Sequence, residues 1–418
     1  MRLCILSYRS YPYSGGQGIY MRYLSMALRD LGHEVDLISG PPYPIVDEGV
    51  RLIKLPSLDL YSMTSVQRLF INPARLNTFP NLVEWLGTMT GYFSEPLSFG
   101  MRAYRYLQSE KGQKYDVVHD NQTLSYGIVD IKKAGFPVVE TIHHPVTIDR
   151  DLAISSAKTI KDRLGYRRWF SFTKMQIKVA RELEYIITVS QMARQHIQEV
   201  FGIPAARLRV IYNGIDTELF SPADSVPRSS NMILMVMSRD TIVKGLRYLL
   251  EAMAEVRKKY DINLVVVGRT MGDGYTESLI KRLDIERNVT FCSNVDTGEL
   301  IKLYRMATIV AVPSTYEGFG LPAAEAMACG TPVVSTTAGA LPEVVGDAGI
   351  LVPPADSGAL AAAISGLLEH PEKLQELGRK GRKRILEQFS WKDAARRTLD
   401  VYQEAIDKKR SAKNRKCV

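Results

Sequence analysis

The feature that most limits what this chain can fold into is a pattern that runs, stops, and runs again. "RLCILS" at the N-terminus is a short apolar run, followed by a loop with Gly15 and Gly16. The helical stretch "IYMRYLSMALRDLG" comes next, with Gly32 as its stop, and then a second short run, "EVDLIS". "YDVVHD", "FPVVETIHH", "YIITVS" and "LRVIYN" continue the series, several with helical stretches between them. Residues 213–231 break it with turn formers. It then restarts with "MILMVMS", a helix over 244–258, "NLVVVGR", a helix over 275–284, "VTFCS", "TIVAVPS", "PVVSTT" and "GILVPP". Short β-branched runs alternating with helices require parallel strands joined by crossovers. The expectation is an α/β chain of two doubly wound parallel-sheet domains joined near residue 215. Such sheets bind ligands beyond the carboxyl ends of their strands, which predicts a site in a cleft between two facing domains.

The bulk numbers agree with this and narrow the partners. A chain of 418 residues exceeds one ordinary core. With 45% hydrophobic and 24% charged residues, its composition is that of a globular protein. No apolar run reaches the ~18–20 residues that a membrane span needs, and the N-terminal run is too short for a secretory signal. Cys4, Cys292, Cys329 and Cys417 are scattered, without metal-ligand spacing, and read as reduced thiols of a cytoplasmic protein. Cys417 is not in a prenylation box. The net charge of +9 favours an anionic partner. Nucleic acid is not expected, because no basic strand is interleaved with aromatics and no recognition helix is evident.

Two segments interrupt the alternation. Residues 56–108 are a long insertion rich in Leu, Phe, Tyr and Met. Residues 149–184 read as a basic helical arm: on a 100° wheel Arg163, Arg167, Lys174, Lys178 and Arg181 share one stripe, and Leu164, Phe172, Met175, Val179 and Leu183 another. That pattern suits an anionic membrane surface, or a core-packed helix with a solvated basic edge. The tail "KKRSAKNRKCV" adds six basic residues and no acidic one.

Three stretches carry the chemistry. In "VPSTYEGFGLPAAEAMACG", Pro322 suits a first helical position and Gly330 a helix stop. Glu317 then falls on the loop and Glu325 on the first turns of the helix. The N–H groups of Gly318, Phe319, Gly320 and Leu321 are free there, at the positive helix end. A carboxylate accepts two hydroxyls at once, so this glutamate pair suits a polyol such as a sugar or ribose. In "MVMSRDTIVKG", Arg239 and Lys244 follow a strand and suit a diphosphate held without metal. Gly15 and Gly16 permit close backbone approach to phosphate or sugar, or simply a tight turn.

Taken together, the GG loop with "ALRDLGHEVDLIS", "SRDTIVKG", "EGFGLPAAEAMACGTPVVSTTAGALPEVV" and "GILVPPAD" resemble the retaining glycosyltransferases of family 4. The resemblance spans the chain outside residues 56–108 and is most specific over 311–354. It implies the GT-B architecture of two Rossmann-like domains, and a metal-independent transfer of a hexose from a UDP- or GDP-activated sugar to a glycan or lipid-linked acceptor. By position, it assigns Arg239, Lys244 and the Gly15–Gly16 backbone to the donor diphosphate. Glu317 and the amides of Gly318, Phe319 and Gly320 go to sugar hydroxyls, Glu325 to the ribose, and the backbone at Asn294 and Val295 to the base. His143 in "ETIHHP" matches the active-site histidine, with His144 beside it as the alternative. No cofactor is implied beyond the donor. Many members of the family reach the membrane through basic surfaces of the first domain, which implies a cytoplasmic protein peripheral to the inner face. The usual glycine before the base-contacting segment is Cys292 or Ser293 here.

The expected organisation is an acceptor-side domain over 1–213, a donor-binding domain over 214–390, and a helix over 391–418 returning to the first domain with its basic tail. Three rivals are weighed against this. The "DRD" triplet at 149–151 matches the acidic motif of metal-dependent transferases with a different fold, but it falls at a helix start. An inactive protein of the same fold on a membrane, and a sugar-nucleotide epimerase or phosphorylase, are the others.

Overall fold

The computed structural model describes residues 1–10, 16–109, 114–157, 159–223, 225–237, 241–270, 272 and 274–416, and the side chains of all these except 65, 242 and 412–416. The chain forms two compact units. Unit 1 comprises Met1–Val189, Ala193–Ile211 and Lys392–Val418, and unit 2 comprises Ser190–Met192 and Tyr212–Trp391.

Unit 1 opens with β1 (Arg2–Ser7), α1 (Gly16–Asp30), β2 (Glu34–Ser39) and β3 (Val50–Lys54). Two short helices follow, α2 (Ser65–Leu69) and α3 (Phe79–Met89), and then α4 (Glu95–Gln108). The alternation resumes with β4 (Val117–Asn121), α5 (Tyr126–Lys133) and β5 (Val138–Ile142). Next come α6 (Thr147–Ser155), α7 (Ile160–Trp169), α8 (Thr173–Glu182), β6 (Ile186–Thr188), α9 (Gln191–Phe201) and β7 (Leu208–Val210). All seven strands are parallel, in the order β3-β2-β1-β4-β5-β6-β7. Strands such as β1, β4 and β5 are buried nearly along their whole length, as a sheet covered on both faces demands.

Unit 2 repeats the plan: β8 (Met232–Val236), α10 (Leu246–Val256), β9 (Asn263–Val267), α11 (Tyr275–Arg282), β10 (Val289–Cys292), α12 (Thr297–Met306) and β11 (Ile309–Val312). It continues with α13 (Leu321–Ala328), β12 (Val333–Thr336), α14 (Leu341–Val345), β13 (Ile350–Val352), α15 (Ser357–Leu368) and α16 (Pro371–Gln388). Its six strands are parallel in the order β10-β9-β8-β11-β12-β13. A last helix, α17 (Trp391–Lys416), belongs to unit 1 from Lys392 onward. Each sheet therefore reverses its winding once, between β1 and β4 in unit 1 and between β8 and β11 in unit 2. In doubly wound sheets such reversal points are where ligands bind, beyond the carboxyl ends of the strands.

The two irregular segments differ from expectation. Only the first part of the 56–108 insertion is an excursion, because α4 supplies Phe99, Ala103 and Leu107 to the core of unit 1. Residues 149–184 are not one amphipathic arm but three helices. The break after α7 is a 3-10 turn at Phe170–Phe172 that buries Phe172. Trp169 and Phe172 both lie 5.1 Å from the Phe93 ring, and that aromatic cluster fixes the break. Met175, Val179 and Leu183 then enter the core, whereas α7 buries no residue and leaves Leu164 exposed. No helix among the described residues is long and apolar enough to cross a membrane.

Candidate active site

In unit 2, three loops meet at the carboxyl ends of β8, β11 and β12. Lys244 ends a 3-10 turn after β8 and is followed by Gly245 at φ 70°. A Cβ on Gly245 would lie 2.0 Å from the Pro313 carbonyl oxygen, so only glycine lets the β8 loop approach β11 this closely. The Thr315 amide donates to Val243 O at 2.8 Å and ties the two loops together. The result is an ion pair: Lys244 Nζ donates to Glu317 Oε1 at 2.6 Å, and Ser314 Oγ donates to the same oxygen at 2.8 Å. The third loop closes from behind. Gly339, at φ 58°, would carry a Cβ only 2.1 Å from Glu317 O, and the Ala340 amide donates to that carbonyl at 2.9 Å.

Beyond Glu317 the chain turns into α13 through Gly320, at φ 101°, with Pro322 in the first turn. Among the described residues, the N–H groups of Gly318, Phe319, Gly320 and Leu321 donate to no other group. Four open donors at a helix start form a cradle suited to hydroxyls or anionic oxygens. Glu325 lies on the second turn of the helix and is buried. Tyr304 of α12 donates its O–H to Glu325 Oε2 at 2.8 Å. Burial pushes the Glu325 carboxyl up to about 7, against the lowering effect of the Tyr304 hydrogen bond. Neither glutamate is therefore a solvated surface charge: one is paired with a lysine, the other enclosed and poised to titrate.

Asn294 and Val295 sit elsewhere, after the edge strand β10. Asn294 has φ 60°, and its Oδ1 accepts a hydrogen bond from Arg269 of the neighbouring loop after β9. Arg239 and Gly15 lie outside the described residues. Gly16 is the exposed first residue of α1.

In unit 1 the structure separates the two histidines. His143, just beyond β5, is buried: its Nε2 lies 2.7 Å from Asn121 Oδ1, and its amide donates to Gln122 Oε1 at 2.8 Å. The Tyr20 ring packs edge-on against it at 4.7 Å. A chain of contacts runs on from there, with Tyr20 Oη 3.1 Å from Thr141 Oγ1 and Thr141 Oγ1 2.7 Å from His119 Nε2. It ends at α17, where Tyr402 Oη lies 2.6 Å from His119 Nδ1. Burial, helped by the neighbouring His144 and His119, pushes the His143 imidazole down to about 3, so it is neutral at physiological pH. His144 points outward, with Nε2 2.8 Å from Asp149 Oδ2. The acidic triplet at 149–151 is thus engaged with His144 and, through Asp151, with Arg150. Among the described residues, no three His, Cys, Asp or Glu side chains are grouped to hold a metal.

Sequence reasoning missed the groups that hold these residues: Ser314 and Tyr304 in unit 2, and Asp120, Asn121, Gln122 and Glu140 in unit 1. "HDNQT" offered one signal, a cluster of polar residues at the end of an apolar strand.

The comparisons decide the family. A profile described as Glycosyltransferase Family 4 matches residues 14–219, and one described as Glycosyl transferases group 1 matches residues 219–384. An MMP alpha-(1->4)-mannosyltransferase from Mycolicibacterium hassiacum is 44% identical over 410 residues, covering 97% of this chain and 98% of the relative. The chain belongs to glycosyltransferase family 4. A more distant relative of this glycosyltransferase is a glycogen synthase from Mycobacterium tuberculosis, 28% identical over 96% of this chain and 94% of that one. Among solved structures, sucrose-phosphate synthase from Thermosynechococcus elongatus superimposes with a TM-score of 0.74 at 24% identity, over 96% of this chain and 98% of the other. The Anabaena protein HepE in complex with UDP and glucose gives 0.68 at 20% identity, over 97% and 100%. These likenesses show the fold: two Rossmann-like, parallel-sheet domains of the GT-B type.

Proposed function

We propose that this glycosyltransferase moves a mannosyl group from a UDP- or GDP-activated donor to a hydroxyl of a glycan acceptor, with retention of anomeric configuration and without a metal. The observation that carries the reading is the Lys244–Glu317 pair set beside four open amide donors. A donor diphosphate takes over Lys244, with Arg239 as a second cation. Glu317 is then released to accept sugar hydroxyls, and Glu325 takes the ribose. His143 is assigned to the transferring sugar as a neutral hydrogen-bonding partner. The choice of mannose rests on the Mycolicibacterium relative, whose name gives it that activity.

The chemistry asks for stabilisation of the departing diphosphate; Lys244, held by Glu317 before donor arrives, supplies it as electrostatic preorganisation, and Arg239 is assigned to add a second charge. Glu317, still held by Ser314 once the diphosphate has taken Lys244, is occupied by sugar hydroxyls rather than by attack on the anomeric carbon. The leaving phosphate oxygen therefore takes the acceptor proton, on the same face from which it departs. The test is release of nucleoside diphosphate from GDP-mannose and UDP-mannose, with and without oligomannoside, in EDTA. Acceptor-dependent release with a lengthened glycan is expected. Release that ignores acceptor, or that stops in EDTA, contradicts the reading.

We also propose a cytoplasmic protein that rests on the inner face of the cell membrane. Exposed Phe70, Phe79, Ile160 and Leu164 in α7 and the insertion, with Lys161, Arg163 and Arg167 beside the last two, support it. Sedimentation with anionic but not neutral vesicles is expected, and absence of vesicle binding at low salt refutes it.

A further inference from the structure

The turn that leaves β4 is bent into a conformation that side chains resist. Gln122 and Leu124 hold φ of 56° and 50°, the left-handed region, and neither is glycine. Two carboxyls of the sheet accept the amide hydrogens of these residues: the Gln122 N–H donates to Glu140 Oε1 at 3.1 Å and the Leu124 N–H to Asp120 Oδ2 at 2.9 Å. Asp120 and Glu140 are register partners on β4 and β5, and both are fully buried. Their other oxygens, Asp120 Oδ1 and Glu140 Oε2, make no hydrogen bond of ordinary geometry among the described residues, although the Thr123 amide and hydroxyl lie close enough to Asp120 to favour its charged form. Two adjacent buried carboxylates do not both stay charged, and one proton shared by the two carboxyls removes that conflict. Burial favours the protonated form of each, and for Glu140 the charge of Asp120 adds to it.

We infer that the Asp120–Glu140 carboxyl pair, sharing one proton, is the positioning device of His143. Asn121 and the strained turn after it supply the hydrogen-bond partners of His143. Asn121 Oδ1 meets His143 Nε2 at 2.7 Å, and Gln122 Oε1 accepts the His143 amide while Gln122 Nε2 donates to His144 O at 2.8 Å. Gln176 of α8 donates to the Gln122 carbonyl at 3.3 Å and adds a further hold on the turn. With Asn121 Oδ1 as acceptor, the neutral ring carries its proton on Nε2 and keeps the Nδ1 lone pair free. The pair acts through the turn; neither carboxyl is a catalytic residue.

This inference rests on the proposed role of His143, and the experiment separates the two. Glu140→Gln replaces the shared proton by an amide hydrogen and keeps the acceptor for Gln122, whereas Glu140→Leu removes both. Turnover of the Gln variant is expected within about threefold of the parent, and that of the Leu variant to fall about 100-fold, the effect of a misplaced active-site group. Donor affinity, measured by calorimetry with GDP-mannose, is expected to fall by less than turnover does in the Leu variant, because the groups assigned to the diphosphate and the ribose belong to unit 2. The C2–H resonance of 13C-labelled His143 is expected to move in the Leu variant and not in the Gln variant. If the Leu variant does not fold, Gln122→Ala cuts the link while leaving the pair intact, and should lower turnover and move the resonance alike. An unmoved resonance in Glu140→Leu or Gln122→Ala overturns the inference. Undiminished turnover in His143→Ala overturns the role of His143 instead, and leaves the resonance test standing.

Discussion

The enclosed carboxyl of Glu325 makes donor affinity depend on pH in a direction that can be worked out. In the free protein this group titrates at about 7 because burial disfavours its charge. A ribose diol donates to the charged form, so the carboxylate binds donor and the neutral acid binds poorly. Donor affinity should then rise as pH climbs through 7 and level off above it. With a midpoint of 7, the ionised fraction falls about 30-fold between pH 8.5 and pH 5.5, and the dissociation constant should rise by about the same factor. His143, titrating at about 3, is silent over this window. Calorimetry with the intact nucleoside-diphosphate sugar and no acceptor reads the effect, since its phosphates stay ionised throughout. Glu325→Gln should bind weakly and independently of pH. Tyr304→Phe removes the hydrogen bond that favours the charged form, and should move the midpoint up by about one unit. A dissociation constant constant within twofold, or the same slope in Glu325→Gln, refutes the argument. Stability runs the other way: a raised folded-state value means that the contribution of Glu325 is full below about 4.5 and is lost as pH rises through 7. The total is about 3 kcal/mol.

Three further outcomes follow from the same geometry. Lys244→Ala should cost about 2–4 kcal/mol of transition-state stabilisation, read as kcat/KM for the donor, with thermal stability little changed. Gly339→Ala forces a Cβ against the backbone of Glu317 at a positive φ, and should weaken donor binding and lower the melting temperature together. Arg102→Met strands the fully buried Glu84, whose Oε2 lies 2.5 Å from Arg102 Nη2; urea titration should show a loss of about 3–5 kcal/mol, partly restored by adding Glu84→Gln.

The sequence conveyed the architecture well because a buried parallel sheet leaves a strong local signature. "RLCILS" and "EVDLIS" are β1 and β2 to the residue. The strand β3, "VRLIK", went unread because an edge strand carries Arg51 and Lys54 amid its apolar residues and looks like a loop. The break in the 149–184 arm was hidden for a different reason. A wheel assumes one continuous helix, and the aromatic partners that end α7 come from residue 93, far away in sequence. Candidate site residues on glycine-bearing loops announced themselves, since the glycines are needed for close loop packing. Their partners did not. That Tyr304 faces Glu325, or that Asp120 lies beside Glu140, depends on helix rotation and strand register, which no single stretch of sequence encodes.

The way in which α17 completes unit 1 has a consequence for how the protein is made. His119 lies fully buried on β4, and the hydroxyl at its Nδ1 belongs to Tyr402. Unit 2 is nearly one continuous piece of chain, whereas unit 1 awaits residues from 392 onward. At ribosomal rates of ~5–20 residues per second, the gap between residues 211 and 402 lasts on the order of 10–40 s. During that interval the first sheet exists without its last helix, and His119 faces water or a chaperone. Unit 2 can fold as it emerges, so the second half of the gene is expected to reach its native form before the first. Chains ending at residue 391 and released from the ribosome should show a protease-resistant fragment beginning near residue 212, and a nicked, unfinished N-terminal part.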